Sequence, residues 1–589
     1  MSVRLPDQLP QVTPRQLEVA RLVARGLTNP QIADELGITL DGAKYHVAEL
    51  LGRLGLSSRE EIATWYRDER HRRRVRRVRL LLAPLGWAAA GSVATIALLL
   101  LVAALRGASV LPGRETVRSA PALDAEGRAD LALDTGFATE GVSWSRAFVG
   151  SSTQLDAPRL APAEDGGLFV GATFGTEDAG GSIDLGGGPF ASAGRWDGVL
   201  ARLTVSGDLV WQRRLGGVGL DGVSDIASDG RGGIFAAGPY AGPIDLASGP
   251  LEAGNGTPTT WLARFEADGA TAWSRTLARG DLDLVRVATR DDAIVVAGAF
   301  TGTIEVGGRS LTASGTHDLV VAAFSPEGDL RWLRALDGEG TEAAVDVAMT
   351  ENGPIVAATL ERVDSGGSAT KGGDGAAPTR SAAVLLVALD NDGNERWTRL
   401  IEGAPATEAA AEPSTLTLAG IEATEDGGIV LAAALRGAID LGAGTLESAG
   451  ERDILLARFD ADGTLTWNRL FGGDRDDLPL ALAADDDRLL VSGVFRGRLD
   501  LDGHAIESST NTDGGPSQNG FLATFTLEGE AATARVFGAP RSARGQELLV
   551  GAGGDVFASG RFLGLIDVGA GRLISTQSFL DSFLARVEP

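Results

Sequence analysis

Hydrophobic and polar positions along this chain follow three different rhythms, and each predicts a different kind of element. Between residues 12 and 66 apolar side chains recur at helical spacing. Leu17, Ala20, Leu22 and Val23 mark the apolar face of a first helix, opened by Thr13 as N-cap, Pro14 at the first position and Gln16 placed to close a capping box. A second helix starts after Asn29, with Pro30 at its first position, and stops at Gly37. Thr39 caps a third, which carries Lys44, Tyr45, His46, Val47, Leu50, Leu51 and Leu54, and Ser58 with Glu61 opens a fourth. Four short helices with a tight turn at Gly37 predict an all-α helix-turn-helix module over residues 1–68.

The second rhythm is an unbroken apolar run. Residues 80–105 read LLLAPLGWAAAGSVATIALLLLVAAL, with no charge between Arg79 and Arg106. At ~1.5 Å per residue such a helix reaches ~39 Å, more than the ~30 Å hydrocarbon core, so it is predicted to cross a membrane once. The flank at residues 69–79 is a basic juxtamembrane segment with seven arginines, while the far side has only Arg106, Arg114 and Arg118 nearby. The positive-inside rule then leaves the N-terminus cytoplasmic and everything after the span periplasmic or extracellular, an inner-membrane single-pass arrangement. Residues 106–140, rich in Ala, Gly, Pro and acids, read as a flexible linker.

Residues 141–589 show the third rhythm, short apolar runs punctuated by glycine. Trp144, Trp211, Trp273, Trp332, Trp397 and Trp467 recur at intervals of 67, 62, 59, 65 and 70 residues, and Ala534 occupies the next equivalent place by spacing. One unit reads as an apolar strand around Val430, a turn-rich excursion over 436–450, a strand over 454–459, an Asp462-Gly463 turn and a Trp467 strand, with a further strand before the next glycine turn. Seven apolar strands recur, at Phe169, Phe235, Val295, Val356, Val430, Val491 and Phe557, and the seventh unit lacks its tryptophan strand. Residues 142–148 match that missing strand. The pattern therefore predicts an all-β seven-bladed propeller closed by an N-terminal strand, which leaves no open edge.

Charge separates these parts. The chain is net -26, yet its first 80 residues hold fifteen basic against ten acidic side chains, so they are net +5 and the remainder net -31. Only the helical module is electrostatically suited to nucleic acid. With no cysteine there is neither a disulfide framework nor a thiolate site, and no cofactor or metal set is expected. His317 and His504 are the histidines beyond the apolar run, one in each of two distant units, and no nucleophile motif recurs, so no catalytic residues and no enzyme activity are expected. The repeated acids Asp184, Asp245, Glu305, Asp440, Asp500 and Asp567 read as turn-stabilising carboxylates. Residues 364–376 and 510–519 read as loops by composition.

Over residues 9–67 the sequence resembles the LuxR-type (GerE-like) DNA-binding family, in VTPRQLEVARLVARGLTNPQIADELGIT and KYHVAELLGRLGLSSR. That resemblance implies duplex DNA as partner. It carries groove-facing roles to Gly42, Ala43, Lys44 and His46, with Asn29 and Thr39 near the backbone, although Gly42 and Ala43 stand where Thr and Val are usual. Independently of the family, Lys44 and Arg53 share one helix and suit phosphates or base edges, while His46 reads equally as an interhelical histidine. The repeats are similar to SBBP-type bacterial propeller repeats and to the tryptophan-docking motif of quinoprotein propellers. Neither names a ligand. The expectation is a membrane-anchored one-component transcriptional regulator, acting as a homodimer, whose propeller meets an extracytoplasmic protein or glycan. The alternative is a surface adhesion or scaffold propeller with a degenerate helix-turn-helix.

Overall fold

The computed structural model describes Val47 and, with short interruptions, residues 142–587. Contacts divide the chain into two compact units, Met1–Leu111 and Pro112–Pro589. Within the first, Val47 is helical and buried, as its place on the third expected helix requires. The expected span at residues 80–105 lies outside the described residues, among which no helix is long and apolar enough to cross a membrane.

The second unit is built from antiparallel strands in groups of four. In one group Thr415–Ala423, Ile429–Arg436, Asp453–Phe459 and Leu465–Phe471 pair in that order. The second and third strands carry almost unbroken apolar runs because both faces are covered: the run Ile429–Leu435 is buried throughout. Its odd and even residues serve different neighbours. Ile429, Leu431, Ala433 and Leu435 pack into one apolar cluster, while Val430 and Ala432 join another with Leu482, Val491 and Phe521 of the following group. Period-two alternation thus survives inside an all-apolar strand, with one side for each adjacent sheet.

Between the second and third strands most groups carry a small hairpin, the excursion that the sequence shows as turn-rich. Ala438–Asp440 pairs with Thr445–Glu447, and Arg498–Leu501 with His504–Glu507. The loop expected over 510–519 is shorter than that, because Gln518–Thr526 is already a strand and Asn519 Oδ1 accepts the Ser509 N–H at 3.1 Å. Residues 365–376 lie outside the described residues. One strand departs from the expected separation of units. Thr271–Arg290 runs through two groups, bending at Gly280 (φ 118°) and at irregularities between Arg279 and Asp281 and between Asp283 and Arg286.

The first strands of the groups are Arg159–Pro162, Asp225–Ser228, the second half of Thr271–Arg290, Thr341–Thr350, Thr415–Ala423, Asp477–Ala484 and Ser542–Val550. Each contacts the next, and Ser542–Val550 contacts Arg159–Pro162. In the last group the fourth strand comes from the other end of the unit: residues 142–148 of Val142–Ser151 pair antiparallel with Asp581–Val587, Trp144 opposite Arg586 and Phe148 opposite Ser582. That is the pairing expected from the unmatched Trp144 segment.

Tryptophans join consecutive groups. Trp144 Nε1 donates to Val205 O at 2.8 Å, Trp211 to Ala267 O at 2.9 Å, Trp273 to Pro326 O at 2.9 Å, Trp332 to Asn391 O at 2.9 Å, Trp397 to Ala461 O at 2.8 Å and Trp467 to Leu527 O at 3.0 Å. Each acceptor sits in the turn between the third and fourth strands of the next group. Each ring also lies flat against that turn's glycine. A Cβ on Gly463 would stand 2.7 Å from Trp397 Cδ2, and its φ of 77° is disfavoured for any other residue. The register corrects one expectation: Thr533, not Ala534, is equivalent to Trp467, since Thr533 faces Thr524 as Trp467 faces Arg458. Spacing alone misplaced it because the units differ in length. No tryptophan is needed there, since the facing strands Asp581–Val587 and 142–148 are not joined by a turn that could receive one.

Replacing Trp397 by Phe keeps the ring stacking and removes one hydrogen bond, with an expected loss of about 1 kcal/mol. Gly463→Ala, which introduces both clash and backbone strain, is expected to lose more, about 2–3 kcal/mol. Denaturant midpoints of the two variants check the order.

Candidate functional site

Two separate places in the chain carry concentrations of functional side chains. The expected DNA-contacting residues Asn29, Thr39, Gly42, Ala43, Lys44, His46 and Arg53 lie outside the described residues. Val47 follows His46 directly, and its burial puts the apolar side of that helix inward at this point.

The second concentration is the charged core at the first strands of the repeated groups. Arg159, Asp225, Arg286, Asp346, Glu422 and Glu547 come from six of those strands and converge electrostatically. Arg159 Nη1 bonds Glu547 Oε2 at 2.8 Å, and its Nε donates to Ser224 O at 3.2 Å. Asp225 Oδ2 accepts the Val287 N–H at 2.8 Å, and Asp346 Oδ2 accepts the Ile421 N–H at 2.9 Å. Each of these carboxylates therefore ties its own strand to the backbone of the following one. The acceptances are open because register shifts between Asp283 and Arg286, and between Leu418 and Gly420, interrupt the ladder nearby. Arg286 Nε stands 4.0 Å from Asp346 Oδ1.

Proton affinities follow from this crowding. Burial raises the carboxyls of Asp346 and Glu547, opposed at the first by Arg286 and at the second by Arg159. Burial alone would lower the Arg159 guanidinium, but Glu547 and Asp225 outweigh it and the net shift is upward. Glu422 is pushed up to about 8, first by burial and then by Asp346 and Glu547. Two arginines against four carboxyl groups, with Glu422 raised to about 8, make a half-buried polar cluster that holds a proton near neutrality. Sequence reasoning missed this set. The available signal was a charged residue recurring on the first strand of the repeats, masked because its identity changes from Arg to Asp to Glu.

Four of the six repeated acids, by contrast, hold turns. Asp184 Oδ1 accepts from Gly186 N at 2.8 Å and Gly188 N at 3.1 Å, and Asp440 Oδ1 from Gly442 N at 2.8 Å and Gly444 N at 3.3 Å. Asp245 accepts from Ala247 N at 2.7 Å and Asp500 from Gly503 N at 2.8 Å. These are Asx-type turns whose carboxylates face backbone donors. Glu305 sits within the strand Ala293–Val306, opposite Ser310, and Asp567 ends the strand Leu565–Asp567, opposite Arg572.

Glu422 generates a pH prediction. A group that binds its proton more tightly when folded adds stability that is complete below the ordinary glutamate value of 4.5 and is lost as pH rises to about 8. Denaturant midpoints of the wild type are expected to fall across that window, and Glu422→Gln is expected to flatten the profile.

The family model for bacterial regulatory proteins of the luxR family (GerE) matches residues 10–66. The nitrate/nitrite response regulator protein NarL of Escherichia coli strain K12 is 43% identical over 60 residues, 10% of this chain and 28% of that protein. The two-component response regulator PprB of Pseudomonas aeruginosa is 48% identical over 52 residues, 9% of this chain and 19% of its own length. The chain thus covers less than a third of either relative. Among solved structures, the phage phi92 endosialidase aligns over 76% of this chain and 69% of its own at 8% identity and a TM-score of 0.34, a likeness too low to carry an argument. Residues 10–66 are a LuxR-type helix-turn-helix DNA-binding domain, carried on a chain whose larger unit is all-β.

Proposed function

We propose that this protein is a membrane-anchored one-component transcriptional regulator: a cytoplasmic LuxR-type domain, one span at residues 80–105, and an extracytoplasmic seven-bladed propeller that receives the signal. The observation that carries the reading is the union of a luxR-family match at residues 10–66 with a separate compact β unit, the two flanking the uncharged 26-residue run. The arginines at 70–79 set the orientation, and the single crossing follows from the one apolar run of sufficient length.

Support for the propeller comes from the successive contacts of the first strands, the tryptophan clamps from group to group, and residues 142–148 completing the last group. Such a unit is read as a binding module, its repeated acids Asp184, Asp245, Asp440 and Asp500 holding turns. Its partner is a protein or glycan. The signal is a change in association: holding two DNA-binding modules close turns the second half-site contact into an intramolecular step.

The test uses the full-length protein in lipid nanodiscs with pooled duplex promoter fragments. Binding is expected to weaken steeply with salt, and Lys44→Ala is expected to lower affinity several-fold and to reduce the salt slope by about 1. Absence of binding at low salt would remove the regulator reading. Protease added to sealed cells with a permeable outer envelope should reach the β unit and spare residues 1–79; the opposite pattern would reverse the orientation.

A further inference from the structure

The charged set at the first strands follows a pattern of place as well as of sign. Its members at one level face the fourth residue of the apolar run on the second strand, as Asp225 faces Ala237 in 234–237, Asp346 faces Ala357 in 354–357 and Glu547 faces Ser559 in 556–559. Taken from the last group through the first four, this level reads Glu547, Arg159, Asp225, Arg286, Asp346. The signs alternate, and Asp225 stands in the field of both arginines. On the fifth and sixth first strands the same level holds Gly420, facing Ala432, and Ala481, facing Ser492. Because each first strand contacts the next and the last contacts the first, the alternation has a gap of two small residues with a carboxylate on either side.

Glu422 lies two residues beyond Gly420, on the same side of its strand. The charges that act on it are those of Asp346 and Glu547, the two that bound the gap. Among the described residues it accepts no hydrogen bond and forms no ion pair. The gap is open at Gly420, where a Cβ would meet Asp346 Oδ2 at 3.2 Å, Leu482 Cβ at 4.0 Å and no third atom within that reach. Its wall also holds an unanswered polar group. Ser559 Oγ donates to Pro158 O at 2.8 Å, but the fully buried hydroxyl of Ser492, in the equivalent place opposite Ala481, has no hydrogen-bond partner among the described residues. The bounding side chains of Asp346 and Glu547 are 28% and 25% exposed, so a solute can reach them.

One oxygen of Asp346 is committed to the Ile421 N–H and one of Glu547 to Arg159, which leaves acceptors for a cation that brings directed N–H donors. No group of the described residues is spaced to hold a metal ion. We propose that an ammonium or guanidinium group of a ligand fills the Gly420–Ala481 gap as the third cation of the alternating series, donating to Glu422 and lying between Asp346 and Glu547. This deepens the reading of the β unit as the receiver of the signal and rests on it for the ligand's role, though not for its binding. Since Glu422 keeps its proton up to about pH 8, with Asp346 and Glu547 facing it and Arg159, Arg286 and Asp225 beyond them, the cation must displace that proton. Affinity therefore rises from about pH 6.5 to about pH 9, while the ligand itself stays charged.

The test is titration calorimetry of the full-length protein in nanodiscs with agmatine, spermidine and an arginine-containing tripeptide, in buffers of unlike ionisation enthalpy, with tetramethylammonium as a cation that lacks N–H donors. Saturable binding of at least one N–H cation is expected, with release of up to about one proton near neutrality and a Tm gain of roughly 2 °C or more at saturation. Glu422→Gln should weaken binding about tenfold or more and abolish the proton release. Ala481→Arg, which tethers a guanidinium in the gap, should abolish binding; if that chain does not fold, Glu422→Gln decides, since it removes a charge without changing shape. Binding of agmatine or spermidine without the tripeptide identifies a free amine, and binding of the tripeptide identifies a protein side chain; either upholds the site. Saturable binding that leaves promoter occupancy unchanged upholds it too and removes only its role as the signal. No saturable binding, or binding that tetramethylammonium matches or Glu422→Gln leaves intact, would overturn the proposal in favour of general attraction of cations to an acidic unit.

Discussion

Everything in the β unit depends on how one sheet is held to the next. Within a group the ladder hydrogen bonds suffice, but between groups most of the hold comes from packing of apolar faces, isolated backbone bonds such as Asp477 N to Arg452 O at 2.8 Å, and one contact that recurs from group to group. That contact is the indole N–H donated to a turn carbonyl, repeated from Trp144 to Trp467. Packing alone would let neighbouring sheets slide, because apolar contact is non-directional. An indole lying on a glycine and bonded at its far end fixes both distance and angle. The left-handed glycines are thus required by the tryptophans that lie on them.

Toward the first strands the same problem is solved with charge. The carboxylates of Asp225 and Asp346 each reach the backbone of the following strand, and Arg159 reaches Glu547 on the last. Some outer turns add an ion pair to the indole, as Arg146 with Asp208 at 3.0 Å and Arg275 with Asp329 at 2.7 Å. The outer turns are near solvent, where an indole bond loses little to water. The inner strands hold their charges only partly exposed, at 24–28% for Arg159, Glu547, Arg286 and Asp346, so each gains from a partner close by.

Much of this was legible in the sequence, because duplication writes itself as period. The seven apolar strands, the Asp-Gly turns and the unmatched Trp144 segment announced the groups and their completion. Turn acids such as Asp184 and Asp440 were legible too, each followed at short range by the glycines whose N–H groups they accept. The charged set at the first strands was not, since its members lie about one repeat apart and change sign. Exact register also moved the missing tryptophan from Ala534 to Thr533, which interval counting could not do across units of unequal length.

The pairing of residues 142–148 with Asp581–Val587 has a consequence for how the chain is made. A ribosome produces the first of these strands more than 400 residues before its partner. Through that interval residues 149–151 can already pair with Ser182–Asp184, while residues 142–148 wait for their partner. Until Asp581–Val587 is made, residues 142–148 lack the backbone partner that conceals their edge in the folded unit.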